Sequence, residues 1–256
     1  MRKFFTIASL FALTLSACSE EATNGEQKGE GRVTIDCVAT TTVDDTRANV
    51  SCTTPAAEDF TLKIEGVDHT YTKEYATIAK FNEGDNYLRN GRYKATVVAG
   101  NVAEEDYDKA AFMGSAEFDV KSRENTNVEI TATIANALVK VEVTEAFKNY
   151  FVGGYALKLK TAASKEFDVT EQTAPIFVAP TSFTVTGTAV KQANQSGAEG
   201  TVVTLPVYEM KKAAAQTLYT VKLDVENAGG AKLTITLDDT LVESFDIDQE
   251  LNDNAK

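Results

Sequence analysis

Tryptophan is absent from this 256-residue chain, and histidine occurs once, as His69. Without Trp the widest aromatic platform for a sugar ring is missing. One histidine and no spaced cysteine pairs argue against a zinc site. His69, in Asp68-His69-Thr70, would also have to serve as the base of any serine triad, and no Gly-x-Ser-x-Gly elbow accompanies it. It reads as an exposed structural residue. Basic residues are in deficit, 25 Lys and Arg against 38 Asp and Glu, for a net charge of -13. That balance argues against nucleic acid, itself a polyanion. It argues equally against a basic patch laid on anionic lipid; so much like charge serves solubility. Long apolar runs are lacking too. The apolar stretch at 4–15 is interrupted by Thr6, Ser9 and Thr14, and a bilayer span takes about 20 residues.

What stands at the N-terminus is an export signal. Arg2 and Lys3 precede the apolar stretch, and Ser16 and Ala17 precede Cys18, the order of a secretory signal peptide. Leu15-Ser16-Ala17-Cys18 resembles the bacterial lipobox. The resemblance implies a diacylglyceryl group on the Cys18 thiol, cleavage before Cys18 and acylation (palmitate-type) of its amine. Two or three chains anchor stably where one does not. Removing residues 1–17 takes Arg2 and Lys3 with it, so the charge of -13 becomes -15. The stretch 18–31 is polar, Gly-rich and without hydrophobic pattern, and reads as a flexible tether. Its Ser19-Glu20-Glu21 resembles the surface-export signal of Bacteroidota lipoproteins; a plain acidic linker is the other reading.

With Cys18 assigned to lipid, Cys37 and Cys52 remain. Asp44-Asp45 marks the midpoint between them. A hairpin about that point places the two cysteines face to face, and outside the cytoplasm they can oxidise. A disulfide closing a loop of ~15 residues contributes ~3 kcal/mol in the chain-entropy model. Two free, buried thiols are the alternative.

Period-two alternation dominates the rest. Val33, Ile35 and Cys37 form one stripe, and Phe60, Leu62 and Ile64 another. Tyr93, Ala95 and Val97 follow, then Ala116, Phe118 and Val120, and then Val128, Ile130, Ala132 and Ile134. In the second half come Val139, Val141 and Val143, then Tyr155, Leu157 and Leu159, Tyr219, Val221 and Leu223, and Leu233, Ile235 and Leu237. Each stripe is apolar on one face, as in antiparallel sheets with one wet side. Asn90-Gly91 and Asn227-Ala228-Gly229-Gly230 mark turns. Helices are few: 144–151 with Thr144 as N-cap, ended by Gly153-Gly154, and a turn at 210–216. The strand order of the first half recurs in the second. The expected fold is all-β, two antiparallel β-sandwich (immunoglobulin/transthyretin-like) domains in tandem, with one sandwich carrying insertions as the alternative. The divisions are 1–17 signal peptide, 18–31 tether, 32–135 first sandwich and 136–256 second sandwich. Residues 233–237 and 242–247 are expected as a closing hairpin.

Carboxylates cluster at Glu104-Glu105-Asp106 with Asp108, and at Asp238-Asp239. Paired carboxylates can cleave glycosides, and clusters can hold calcium, but neither run has calcium-loop spacing. Both read as solvated loops. No catalytic residue, metal or cofactor is expected. Tyr and Phe fall mostly on apolar stripes, with Tyr87, Tyr107 and Tyr150 as exposed candidates. Asp239-Thr240-Leu241 resembles the O-glycosylation motif of Bacteroidota exported proteins, with Thr240 as acceptor in a turn.

The order of the lipobox, Lys28-Gly29-Glu30-Gly31, Thr46-Arg47-Ala48, Asn90-Gly91-Arg92-Tyr93, Ala135-Asn136-Ala137-Leu138-Val139-Lys140-Val141, Phe147-Lys148-Asn149-Tyr150-Phe151 and Leu233-Thr234-Ile235-Thr236-Leu237-Asp238-Asp239-Thr240 resembles an uncharacterised family of Bacteroidota lipoproteins, defined as a domain of unknown function. More widely it is similar to the fimbrillin-like lipoproteins of the same bacteria. That resemblance implies a β-sandwich pilin or adhesin, with proteolytic maturation after an arginine, here Arg47-Ala48. A cut there lies between Cys37 and Cys52, so a bridge would hold the first strand in place. The function implied is a non-catalytic lipoprotein at the surface of the outer membrane. The membrane is its partner through Cys18, and a glycan, host protein or pilus subunit is the second. The alternative is a pilus subunit or tip adhesin assembling by strand exchange. Turnover lost with the Glu104–Asp108 cluster would instead mark a hydrolase.

Overall fold

The computed structural model describes residues 29–41, 51–84, 86–151, 153–170, 174–190, 200, 202–225, 231–237 and 240–246. In the first half the strands are β1 (Glu30–Ala39), β2 (Thr61–Gly66), β3 (Thr72–Tyr75), β4 (Tyr87–Arg89), β5 (Gly91–Ala99), β6 (Phe112–Val120) and β7 (Asn125–Ile134). A short helix, α1 (Ile78–Glu83), lies between β3 and β4. The second half comprises β8 (Ala137–Val143), helix α2 (Glu145–Tyr150), β9 (Tyr155–Thr161), β10 (Glu166–Asp168), β11 (Ile176–Val178), β12 (Phe183–Val190), β13 (Val202–Thr204), β14 (Tyr208–Met210), β15 (Leu218–Val225), β16 (Ala231–Leu237) and β17 (Thr240–Asp246).

The first seven strands run in the order β3-β2-β5-β6-β7-β1-β4. β6 and β7 pair at one end, where Phe112 faces Ile134 and Met113 faces Thr133. Gly114 follows that corner; a Cβ there would lie 2.5 Å from the Thr131 carbonyl oxygen, so only glycine admits the approach. The strands thus turn over into two faces around one core. Val33, Ile35, Leu62, Ile64, Ala95, Val97 and Ala132 meet there, sealed by Ile78 and Phe81 of α1. The second sandwich has one sheet of β10-β9-β12-β13, with β14 also on β12, and a facing sheet of β11-β8-β15-β16-β17. Val139, Val141, Leu157, Leu159, Val185 and Val221 fill its core, closed by Phe147 and Phe151 at α2.

The duplicated order is a duplicated topology. β1 runs parallel to β7 and antiparallel to β4; β8 runs parallel to β15 and antiparallel to β11. Among the described residues each sandwich therefore carries one parallel pairing within otherwise antiparallel sheets, which the expectation of antiparallel sheets did not include. The wet-face pattern survives because these parallel strands sit in open sandwiches, not under crossover helices. The expected closing hairpin is present as β16 and β17, and it extends the β8-β15 sheet with a bulge at Ile235/Thr236.

Thr144 caps α2 as its sequence indicates, its Oγ1 accepting from Phe147 N–H at 3.2 Å. The expected turn at 210–216 is not helical: residues 208–210 are strand β14, and Ala213 N–H is held by the Thr181 carbonyl. Cys37 lies on β1, whose partners are β7 and β4, and Cys52 lies in a segment without strand structure. Among the described residues no strand pairing sets them face to face, and both are free thiols; the expected turn at Asp44-Asp45 lies outside the described residues. Each is half-buried against the first core.

Candidate functional site

The β5–β6 connection carries the acidic run, and it does not end in solvent. Glu105 is 1% exposed. Its Oε2 accepts from the Thr161 hydroxyl at 2.6 Å and its Oε1 from Ala179 N–H at 2.9 Å, both in the second sandwich. Asp106 and Phe177 exchange backbone hydrogen bonds at 3.1 and 3.0 Å, a one-residue antiparallel bridge. Lys165 donates to the Glu105 carbonyl and pairs with the Asp106 carboxylate at 3.4 Å. The Tyr107 hydroxyl donates to the Asp168 carbonyl at 3.2 Å, and its ring meets Phe167 edge-on. A buried carboxyl needs its lone pairs satisfied, and here the neighbouring domain satisfies them. The run reads as a clasp between sandwiches, which corrects the expectation of a wholly solvated loop.

Electrostatics follow the same contacts. The Asp106 carboxyl is held below the usual carboxylate range, chiefly by the Tyr107 backbone N–H and then by Lys165. Asp168 is lowered by the Thr170 N–H and hydroxyl. Burial pushes the Cys37 and Cys52 thiols up, opposed at Cys37 by a hydrogen bond with the Ala132 backbone. Among the described residues no group of three or more His, Cys, Asp or Glu is placed to hold a metal ion. No helix there is long and apolar enough to cross a membrane.

The domain contact continues through apolar groups. Leu138 of β8 and Phe177 of β11 belong to the core of the first sandwich. Asn136, fully buried at the junction, accepts from Ala111 N–H at 2.6 Å, and its carbonyl accepts from Gln216 N–H.

A concave site lies at the other end of the first sandwich. It is formed by the β2–β3 loop, by β4 and by the starts of β1 and β5, encloses about 340 Å³, and is lined by Glu30, His69, Tyr71, Tyr87, Arg89 and Tyr93 among others. His69 stands edge-on to Tyr93 with ring centroids 4.7 Å apart. It also packs on Gly91, where a Cβ would meet the imidazole at 2.9 Å. Tyr71 approaches Tyr93 at 5.4 Å, and Tyr93 stacks on Phe118 at 5.9 Å. The Tyr93 hydroxyl donates to the Arg89 carbonyl at 2.9 Å. Sequence reasoning expected Tyr87 and His69 to be exposed, and both are. It did not bring them together, since a three-residue strand such as β4 has no legible period. Tyr107 and Tyr150 are half-buried.

The remaining sequence-derived positions are scattered. Cys18, Arg47 and Ala48 lie outside the described residues. Thr240 is the first residue of β17, opposite Leu237. The strand order and the clasp together define a tandem β-sandwich protein whose halves share a buried, hydrogen-bonded junction.

The model of DUF4493, a domain of unknown function, matches residues 29–253. The chain belongs to this family. No curated protein matches it. Among solved structures it is similar to a fimbrial assembly protein from Parabacteroides distasonis, at 12% identity and a TM-score of 0.45 over 86% of this chain and 99% of that one. It is also similar to the fimbrial anchor protein Mfa2 from Porphyromonas gingivalis, at 9% identity and a TM-score of 0.41 over 84% of this chain and all of that one. Likeness at this level carries nothing about function.

Proposed function

We propose that this chain is a lipid-anchored, non-catalytic lipoprotein of the outer membrane surface that binds or adheres through its two β-sandwiches. The observation that carries this reading is Cys18 at the end of a lipobox, followed by a polar tether to residue 31. Lipid on Cys18 fixes the chain to a membrane, the tether lets it stand off, and the sandwiches present loops to a partner. The divisions at 17, 31 and 135 follow. Supporting it from the fold side is the use of the carboxylate run: Glu105 is buried and occupied in joining the sandwiches, and Asp106 is paired with Lys165.

A second reading, a fimbrillin-like subunit that assembles by strand exchange, is favoured by one feature of β1. Along one edge β1 is paired with β7 from Arg32 to Ala39. Along the other, β4 covers Glu30 to Arg32. A cut after Arg47 would take β1 with it, because Cys37 and Cys52 are free thiols here. The vacated groove would suit a strand with alternate apolar residues.

The test is the mature N-terminus, read by mass spectrometry on protein from native membranes and from the shed surface fraction. Acylated Cys18 throughout supports the anchored module. A start at Ala48 without lipid, together with an SDS-resistant ladder, shifts the assignment to the strand-exchanging subunit. An unacylated start elsewhere overturns both.

A further inference from the structure

We propose that the cleft at the start of β1, between the β2–β3 loop and β4, is a binding site for a neutral saccharide ring. The volume, about 340 Å³, lies at the small end of the range for ligand pockets and suits a short sugar rather than a peptide. Its floor is fixed from behind: Tyr93 is 1% exposed, stacked on Phe118 and tied by its hydroxyl to Arg89. His69 and Tyr71 stand on Tyr93 nearly at right angles, at 83° and 87°, making ring-walled sides. Tyr87 is 60% exposed at the rim, a large aromatic surface left in water beside a concavity.

The polar groups complete the match. Glu30, Arg89, His69 and Tyr87 all line the cleft, and among the described residues no hydrogen bond or ion pair joins their side chains to one another. A carboxylate accepts and a guanidinium donates, so the rim presents both halves of what a hydroxyl needs. A ligand with apolar C–H faces and many hydroxyls uses the rings and the rim together. Charge selects against the other candidates. Glu30 and Arg89 carry opposite charges at the rim, so an anion that pairs with Arg89 also meets Glu30 and a chain of net charge -13, and a cation that pairs with Glu30 also meets Arg89; a neutral polyol uses both as hydrogen-bond partners.

The site's place in the chain bears on where the sugar comes from. Glu30 is twelve residues beyond Cys18, and an extended tether of that length spans at most ~40 Å. On the anchored reading of the chain, the cleft therefore works close to the membrane, within reach of the cell's own envelope polysaccharide as well as of foreign glycans.

The experiment is titration of the full mature chain with methyl glycosides of glucose, galactose, mannose and N-acetylglucosamine, followed by saturation-transfer NMR and calorimetry. Sialic acid and choline serve as charged probes. Saturable binding of at least one neutral glycoside is expected. Tyr87→Ala and Arg89→Ala should each weaken it by roughly tenfold, and Lys212→Ala on the second sandwich should leave it unchanged. Tyr87 and Arg89 are exposed, so their variants should keep the wild-type melting curve. Binding of no neutral glycoside, preference for a charged probe, or binding that survives both variants overturns the site. Repeating the titration with the cell's purified envelope polysaccharide and with host-type oligosaccharides separates the two sources. The N-terminal mass is read independently, so loss of the anchored reading and loss of the saccharide site are distinguishable.

Discussion

At the scale of single residues, Glu105 is the acid buried at the junction of the two sandwiches. It gives both oxygens to the neighbouring domain, to Thr161 and Ala179. Truncation leaves the buried Thr161 hydroxyl and the half-buried Ala179 N–H without this acceptor, and a buried orphan costs about 1–3 kcal/mol. Glu105→Ala is therefore expected to lower the denaturation midpoint clearly, while Glu104→Ala, at an exposed position, should barely move it. Equal midpoints for the two variants would mean that the clasp contributes nothing. The run of acids was visible in the sequence, but its inward member was not. Irregular loops have no period to separate an inward residue from an outward one. The partners, moreover, lie 56 and 74 positions away along the chain. His69 shows the converse: a lone histidine read as structure does pack on Tyr93 and the flanking glycines, and its place in a cleft comes from β1 and β4, not from its neighbours in sequence.

At the scale of elements, β1 poses the edge problem. Beyond Arg32 its outer edge has no partner strand among the described residues, and an open edge is a template for pairing. Asn82 of α1 covers part of it: its side-chain oxygen accepts from Ile35 N–H at 3.0 Å and its amide donates to the Ile35 carbonyl at 2.8 Å. The side chain thus stands where a strand's peptide group would. Next to it, the Asn86 carbonyl takes Val33 N–H at 2.8 Å. Asn82→Ala removes both bonds to Ile35. The expected outcome is a loss of about 1–3 kcal/mol together with concentration-dependent self-association, followed by sedimentation and by hydrogen exchange at Ile35. A variant that stays monomeric and protected at Ile35 would show that α1 does not guard this edge. The stripe of Val33, Ile35 and Cys37 announced β1 because alternation over ten residues is unambiguous. Asn82 was silent, since α1 spans six residues, and Ile78 and Phe81, three apart, are too short a signal. The three-residue strands β4, β11 and β14 were missed for the same reason. The parallel direction of β1 and β8 could not be read either, because a strand's pattern carries its faces and not its heading.

At the scale of the molecule, the question is whether two sandwiches behave as two domains. Tandem β-sandwiches joined by a linker unfold independently unless their interface is large and apolar. Here Phe177, on β11 of the second sandwich, is 1% exposed and packs in the core of the first, beside Leu138. Its backbone also carries the bridge to Asp106. The residue is thus a member of one domain's sheet and of the other's core. Duplicated strand order made the two halves legible in sequence. Their junction was not, because it depends on where β11 lies against a loop more than sixty residues earlier, and no local pattern records that. Wild-type protein is accordingly expected to melt in one calorimetric transition. Phe177→Ala should cost about 3–5 kcal/mol and split that transition in two, since it removes the shared side chain while leaving β8 and β15 paired. A single transition shifted to lower temperature would place Phe177 as ordinary core filling. Two transitions already present in the wild type would show that clasp and side chain together leave the sandwiches independent, and a partner bound by one would then not be felt by the other.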